Sequence, residues 1–266
     1  MNVASDSSTE SLDAIILAAG RGKRLGGGDR AKVAHEVGGR PMVQWVVDAC
    51  REAGVQRCIV VVGHGGDEVR QLLAGDDAIA FVEQTELLGT GHATRMAEPM
   101  FTDLPPRDVF VLAGDGPLLR ASTLRQLRHV HRQTHAAATL ATAVLDDPSG
   151  YGRIVRDSEE KFDRIVEQKD ATDAELAIRE INPSYYCFES TSLFEALRRI
   201  NNDNAQGEYY VTDVPGIFKQ EGKLVSIVDA VPPEDVMGIN TPQQLEEVDA
   251  VLRRRHGLAD STGGAA

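Results

Sequence analysis

The run Asp13-Ala-Ile-Ile-Leu-Ala18 is apolar enough to be buried as a strand, and it opens directly onto Ala19-Gly-Arg-Gly-Lys-Arg-Leu-Gly-Gly-Gly28, with Lys32 close behind. No other junction in the chain restricts the fold as much. A glycine-rich loop at the carboxyl end of a buried strand lets the backbone approach an anion with successive N–H groups pointing inward. Arg21, Lys23, Arg24 and Lys32 add positive charge at the same place, so a nucleotide phosphate is the first ligand to consider. A solvated charge cluster is the ordinary explanation for such a stretch, but its position after a buried strand favours the phosphate.

The rest of the chain is acidic. Its 266 residues hold 28 Lys and Arg against 41 Asp and Glu, a formal charge of −13. That balance argues against nucleic acid or an anionic membrane as the main partner. Cys50, Cys58 and Cys187 have no metal-ligand spacing and are expected to be reduced, buried residues of a cytoplasmic protein. No apolar run approaches membrane-spanning length. Residues 1–11 read as a disordered leader and 256–266 as a disordered tail.

Between these ends, short β-rich runs alternate with amphipathic helical patterns, the signature of an α/β protein with a mainly parallel sheet covered on both faces. Pro41 is placed to start a helix in which Met42, Trp45, Val46, Ala49, Cys50 and Ala53 recur at helical spacing. Further strands are expected at Arg57–Val62, near Ile79–Val82 and at Asp108–Ala113, with a helix over Gly91–Glu98. His129, His131 and His135 are expected on a solvated helix face. Ligands in open α/β sheets sit at the carboxyl ends of strands, so three ends should converge on one crevice: the first, the one before Gln84 and the one before Gly114-Asp115.

Asp115, at the mouth of an apolar strand, suits a cation held against phosphate oxygens; a turn-forming Asp before Gly is the plain alternative. Gln84 can donate and accept together, as reading a pyrimidine edge requires, although a glutamine of this kind can also be mere surface. A dinucleotide-binding dehydrogenase fits poorly. The basic loop is too long for a tight G-x-G-x-x-G turn, and no acidic residue follows the second strand for a ribose hydroxyl. No Gly-Lys-Ser/Thr follows the glycines, which excludes a Walker loop.

Several blocks together resemble the sugar-1-phosphate nucleotidyltransferase family, nearest to the uridylyltransferase domains of bifunctional bacterial enzymes that make UDP-N-acetylglucosamine. They are Leu17-Ala-Ala-Gly-Arg-Gly-Lys-Arg24, Leu88-Gly-Thr-Gly-His92, Gly114-Asp-Gly-Pro-Leu118, Asp146-Asp-Pro-Ser-Gly-Tyr-Gly-Arg153, Ile165-Val-Glu-Gln-Lys-Asp-Ala171, Glu180-Ile-Asn182, Asn204-Ala-Gln-Gly-Glu-Tyr-Tyr-Val-Thr-Asp213 and Gly238-Ile-Asn240. The resemblance covers about residues 12 to 255 and implies a Rossmann-like three-layer α/β/α fold. Its nucleotide half would span about 12–120 and its sugar half about 121–255. It further implies transfer of UMP from UTP to N-acetylglucosamine 1-phosphate with Mg²⁺ as cofactor.

By the same resemblance, Leu17, Ala18, Ala19, Gly20 and Gly22 would line the nucleotide, with Gln84, Gly89 and Thr90 near uracil and ribose. Arg24 and Lys32 would grip the triphosphate and, with Asp115, form the catalytic set. Asp115 and Asn240 would hold Mg²⁺, and Gly114, Gly152, Glu167 and Asn182 would bind the sugar. Glu208 to Asp213 would start a helix bracing the sugar site, and Lys169 would reach a phosphate or face solvent.

The chain departs from the family pattern at Ala31, where a proline is usual, at Ala113 before Gly-Asp, and at Asn182-Pro-Ser184 in place of Asn-x-Gly. The last two fall on the sugar side. The hexapeptide repeats of an acetyl-transferring β-helix do not occur, so acetyl transfer is not expected and an oligomer is possible but not implied. A nucleotidyltransferase for another sugar or cyclitol phosphate, and a silent nucleotide-sugar sensor, are the competing readings.

Overall fold

The computed structural model describes residues 11–22, 30–229 and 231–259. The first half of the chain supplies strands β1 (Leu12–Ala18), β2 (Glu36–Val37), β3 (Arg40–Pro41), β4 (Arg57–Val62), β5 (Ile79–Glu83) and β6 (Asp108–Ala113). Its helices are α1 (Met42–Glu52), α2 (Gly66–Leu72) and α3 (Thr90–Arg95). The second half adds α4 (Ala121–Thr134), β7 (Ala138–Ala141), β8 (Ala143–Val144), β9 (Gly152–Arg156), β10 (Phe162–Val166), α5 (Asp173–Leu176), β11 (Glu180–Asn182) and β12 (Tyr185–Glu189). It closes with α6 (Ser190–Leu197), α7 (Asp213–Gln220), β13 (Val225–Val228) and α8 (Pro242–His256).

Seven strands form the main sheet in the order β13-β7-β12-β6-β1-β4-β5. It is mainly parallel, with β12 running antiparallel to both β6 and β7. β1 lies between β4 and β6, both parallel to it, because the chain first builds outward through β4 and β5 and then returns to the other side of β1. That reversal is a topological switch point, and it opens a crevice at the carboxyl end of β1.

Apolar side chains fill both faces. Ile16, Val60, Phe110 and Leu112 belong to one buried cluster with Val46, Val47, Leu124 and Leu127 of α1 and α4. Ile15, Ile59, Val61 and Val111 belong to another with Leu193, Leu197 and Phe218 of α6 and α7. The result is three layers, helix, sheet and helix. Asp13, 1% exposed at the start of β1, is tolerable because Arg57 and Arg107 hold its carboxylate at 2.7 and 3.3 Å.

A smaller sheet, β10-β9-β11-β8, branches from the second half and carries Gly152 and Asn182 opposite one another in register. Helix α8 returns to the first half, where Val248, Val251 and Leu252 pack on Val37, Met42 and Leu118. Its last residue, His256, stacks on Trp45 at 4.6 Å.

One expectation fails. His131 is not on a solvated face but buried at 4% exposure, its Nδ1 3.1 Å from the Thr139 hydroxyl, and burial pushes its pKa down. Position 131 falls one helical turn after Leu127, on the face of α4 that packs against the sheet, so the apolar stripe includes it. The three cysteines are free and buried. Among the described residues no helix is long and apolar enough to cross a membrane.

Candidate active site

The crevice at the switch point is a cavity of about 780 Å³. Leu17, Ala19, Gly20, Arg21 and Lys32 line it from the end of β1, Gln84, Gly89 and Thr90 from the end of β5, and Ala113 and Asp115 from the end of β6. The three strand ends therefore meet, as the β/α alternation implies. They can do so because Gly63, at the end of the intervening β4, has no side chain. A Cβ there would sit 2.8 Å from that of Ala19 and 3.1 Å from the Gln84 carbonyl oxygen.

At one end of the cavity, Lys32 reaches across from the glycine loop. Its Nζ donates to Asp115 Oδ2 at 2.5 Å and to Asn240 Oδ1 at 3.0 Å, joining positions 83 and 208 residues away. Asn240 is itself fixed: its N–H donates to Gln244 in the first turn of α8. The Gly238 N–H donates to the Tyr151 hydroxyl at 2.7 Å, and that hydroxyl donates to the Val236 carbonyl at 2.8 Å. An ammonium lodged between a carboxylate and an amide oxygen marks a place where this chain accommodates a cation. Two hard oxygen donors also suit Mg²⁺, which keeps several waters and phosphate oxygens in its octahedron.

At the other end, the Leu88-Gly-Thr-Gly-His92 segment is pinned to the Glu208–Val211 segment. The Tyr209 N–H donates to Leu88 O at 2.8 Å, the Gly91 N–H to Tyr209 O at 2.7 Å, and the Val211 N–H to Thr90 Oγ1 at 3.1 Å. Gly89 has φ +105°, and a Cβ on it would lie 2.5 Å from Tyr209 O, so only glycine fits. The Gln-Gly-Glu-Tyr-Tyr block thus braces the glycine loop; α7 begins only at Asp213. Gln84, 4% exposed, donates its amide N–H groups toward Gly89 O at 3.1 Å and His92 Nδ1 at 2.9 Å.

The other predicted residues are placed less directly. Ala18 is fully buried in the α1-side core, behind the cavity wall. Gly22, at φ +54°, packs against Lys32, and Gly114 lies so close to β1 that a Cβ would touch Leu17 O at 2.8 Å. Arg24 lies outside the described residues. Gly152 and Asn182 sit just beyond the cavity; Asn182 donates to the Tyr186 hydroxyl at 2.6 Å, and Tyr186 lines the wall. Glu167 Oε1 accepts from the Thr212 hydroxyl at 3.0 Å and faces a separate cleft of about 490 Å³; burial raises its pKa. Lys169 donates to Gln206 at 2.5 Å, away from the cavity.

Tyr186, Ser184, Glu208 and Val211 also line the cavity but carried no signal beyond their neighbouring motifs. Ser184 has φ +63°, the left-handed region, so it keeps the conformation for which glycine is favoured at that place. A larger cleft, about 940 Å³, lies between α1, α4 and α8. Of its arginines, Arg40 pairs with Asp48, Arg120 with Asp235 and Arg255 with Glu234 and Asp235, while Arg125 donates to the Glu52 carbonyl.

A doubly covered, mainly parallel sheet whose strand ends gather a glycine loop, a lysine and a carboxylate around one cavity is the arrangement of a nucleotidyltransferase. The chain belongs to the MobA-like NTP transferase domain family, which it matches over residues 14–214. It is similar to the bifunctional protein GlmU of Brevibacillus brevis, 48% identical over 244 residues covering 92% of this chain and 52% of that protein. It is likewise 48% identical over 242 residues to the GlmU of Heliobacterium modesticaldum, again covering 52% of the relative. The chain thus spans about half the length of the curated relatives it matches.

Solved structures share the fold. One is described as a glucose-1-phosphate thymidylyltransferase from Bacillus anthracis, with TM-score 0.75, 18% identity, and coverage of 91% of this chain and 96% of that one. Another is a UDP-glucose pyrophosphorylase bound to UDP-glucose, with TM-score 0.71, 15% identity, and coverage of 92% and 100%.

Proposed function

We propose that this nucleotidyltransferase moves UMP from UTP to a sugar 1-phosphate, N-acetylglucosamine 1-phosphate in particular, with Mg²⁺. The observation that carries the reading is the Lys32 ammonium held between Asp115 and Asn240 at one end of a cavity whose other end presents Gln84. A phosphate oxygen of the sugar phosphate attacks the α-phosphorus of UTP. The bond from that phosphorus to the oxygen bridging the β-phosphorus breaks, and pyrophosphate leaves with the electron pair. The attacking phosphate is already an anion near neutral pH, so no general base is needed; the difficulty is bringing two polyanions together.

Lys32 and Arg24 neutralise charge moving onto the leaving group, and the glycine loop offers backbone N–H groups to the phosphates. Asp115 and Asn240 would hold Mg²⁺, which when bound screens the phosphates and stabilises the charge that develops on them. Gly114, Gly152, Glu167 and Asn182 would face the sugar. The similarity to the GlmU proteins over 92% of this chain supports the N-acetylated sugar. Mg²⁺-dependent pyrophosphate release tests the reading, with UTP, dTTP, CTP and GTP crossed against the 1-phosphates of N-acetylglucosamine, glucose and galactose. Selective turnover of UTP with N-acetylglucosamine 1-phosphate is expected. Turnover of a different pair keeps the mechanism and replaces the substrate.

A further inference from the structure

The inference concerns His92, and it rests on the reading of the cavity as a pyrimidine-nucleotide site. His92 lies in the first turn of α3 and is 9% exposed, with its ring against the Gln84 amide. Which end of that amide faces which partner is fixed by elementary donor counting. The Gly89 carbonyl can only accept, so the amide atom 3.1 Å from it is the nitrogen. The same nitrogen is 2.9 Å from His92 Nδ1, which must then accept as well, leaving the ring proton on Nε2. Both N–H bonds of the amide are consumed by these two acceptors. Gln84 Oε1 makes no hydrogen bond to the described residues and is not among the buried unpartnered atoms, and Gln84 lines the cavity.

We propose that His92 is a positioning residue: through Nδ1 it locks the Gln84 amide so that only the carbonyl oxygen is presented to the base. A lone acceptor at that place matches a pyrimidine that carries a proton on N3, as uracil and thymine do. Cytosine turns an N3 lone pair toward it, and two acceptors then face each other in a buried site without a proton between them. Selection against cytosine is therefore built into the chain's own hydrogen bonds. Both acceptors come from the Leu88-Gly-Thr-Gly-His92 block, three residues apart, with the Gly89 carbonyl aimed by the left-handed backbone that only glycine adopts there.

Equilibrium titration of the intact chain with UTP and with CTP, in the presence of Mg²⁺, tests the lock. The wild type is expected to favour UTP by on the order of 100-fold, the scale for a mismatched buried polar pair. His92→Leu, which keeps bulk and removes the acceptor, frees one amide N–H and is expected to cut that ratio to about 10-fold or less. The loss should appear in KM for UTP with kcat at saturation nearly unchanged, since the ring touches no reacting atom. His92→Asn, whose side-chain oxygen can take the place of Nδ1, is expected to restore the ratio.

A folded His92→Leu variant with the wild-type UTP/CTP ratio overturns the lock. Nitrogen-15 NMR of the wild type gives a check that needs no variant: a proton resident on His92 Nδ1 at neutral pH also overturns it. A wild type that binds neither nucleotide, or shows no preference between them, overturns the underlying reading of the cavity instead.

Discussion

The end of the cavity proposed for the base and the segments beyond the cavity proposed to meet the sugar differ in what their side chains already hold. At the base end, Gln84, Gly89 and Thr90 are bonded to their own surroundings in ways that leave a defined face toward the cavity. Beyond the cavity, where the sugar is proposed to bind, Glu167 and Asn182 spend polar atoms on Thr212 and Tyr186, and Glu167 looks into a different cleft. A site of the first kind sets its selectivity in advance. One of the second kind has to exchange hydrogen bonds within the chain to meet a ligand, so its selectivity depends on what replaces them. Base choice can therefore be argued from bonds inside this chain, whereas sugar choice has to be measured.

The opposite end of the cavity, where Lys32 meets Asp115 and Asn240, should show the largest effects. Lys32→Ala or Asp115→Ala is expected to slow pyrophosphate release by on the order of 100-fold or more, the scale for removing one transition-state contact. Near-normal turnover in either variant would take that residue out of the mechanism. Because the ammonium occupies the place between Asp115 and Asn240, Lys32→Met should also bind Mn²⁺ several-fold more tightly without nucleotide. Equal or weaker binding would mean that lysine and metal do not share those oxygens.

At the base end, Gly89→Ala brings a Cβ to 2.5 Å from Tyr209 O at a φ of +105°. A loss of about 2–4 kcal/mol in chemical denaturation is expected, from the clash and the backbone strain together. Gly150→Ala, at φ +91° with nothing within 4 Å, is the control in the second half of the chain and should cost only about 1 kcal/mol. Equal losses would show that the close approach of the two segments is not what requires glycine.

Which of these features the sequence revealed follows from how local each one is. The strands β1, β4 and β6 are buried on both faces and so appear as nearly unbroken apolar runs, and the ends of β1, β5 and β6 do meet. Asp115 was visible just beyond the apolar run of β6, and Gln84 directly after the half-buried β5. Asn240 was assigned only through resemblance, since nothing local relates it to Lys32, 208 residues away. His92 showed no partner in the sequence because its partner belongs to the preceding strand end. The smaller sheet was illegible: β9 and β10 mix Arg and Asp with Ile and Val, and in β9 the charged Arg153 is itself buried. His131 misled because a polar residue on a buried helix face looks the same in sequence as one facing water.

Crowded acids in the separate cleft give a smaller, pH-dependent effect. Burial, with the Asp170 carboxylate adding like charge, raises Asp213 from 3.8 to about 6. A folded-state pKa above the unfolded one means that folding takes up a proton between the two. Stability therefore grows as pH falls from about 6 toward 3.8, and the penalty is fully present above pH 6. Asp213→Asn is expected to raise stability by about 1–2 kcal/mol at pH 8, allowing for its partial exposure. The gain should vanish near pH 4. A gain equal at both pH values would mean that ionisation of Asp213 is not its source.

The smallest effect separates backbone from side chain at Ser184. This residue holds φ +63°, and its N–H donates to Asn182 Oδ1 at 3.2 Å. Ser184→Ala keeps the left-handed strain and loses the hydroxyl. Ser184→Gly loses the same hydroxyl but relieves the strain, offset in part by the greater freedom of glycine in the unfolded chain. The glycine variant should therefore be more stable than the alanine variant by about 0.5–1 kcal/mol, a difference of a few degrees in Tm. Equal stability would mean that the backbone carries no strain there. Sugar preference gives a second readout: if it follows the hydroxyl, both variants change it alike, and if it follows the backbone, only the glycine variant does.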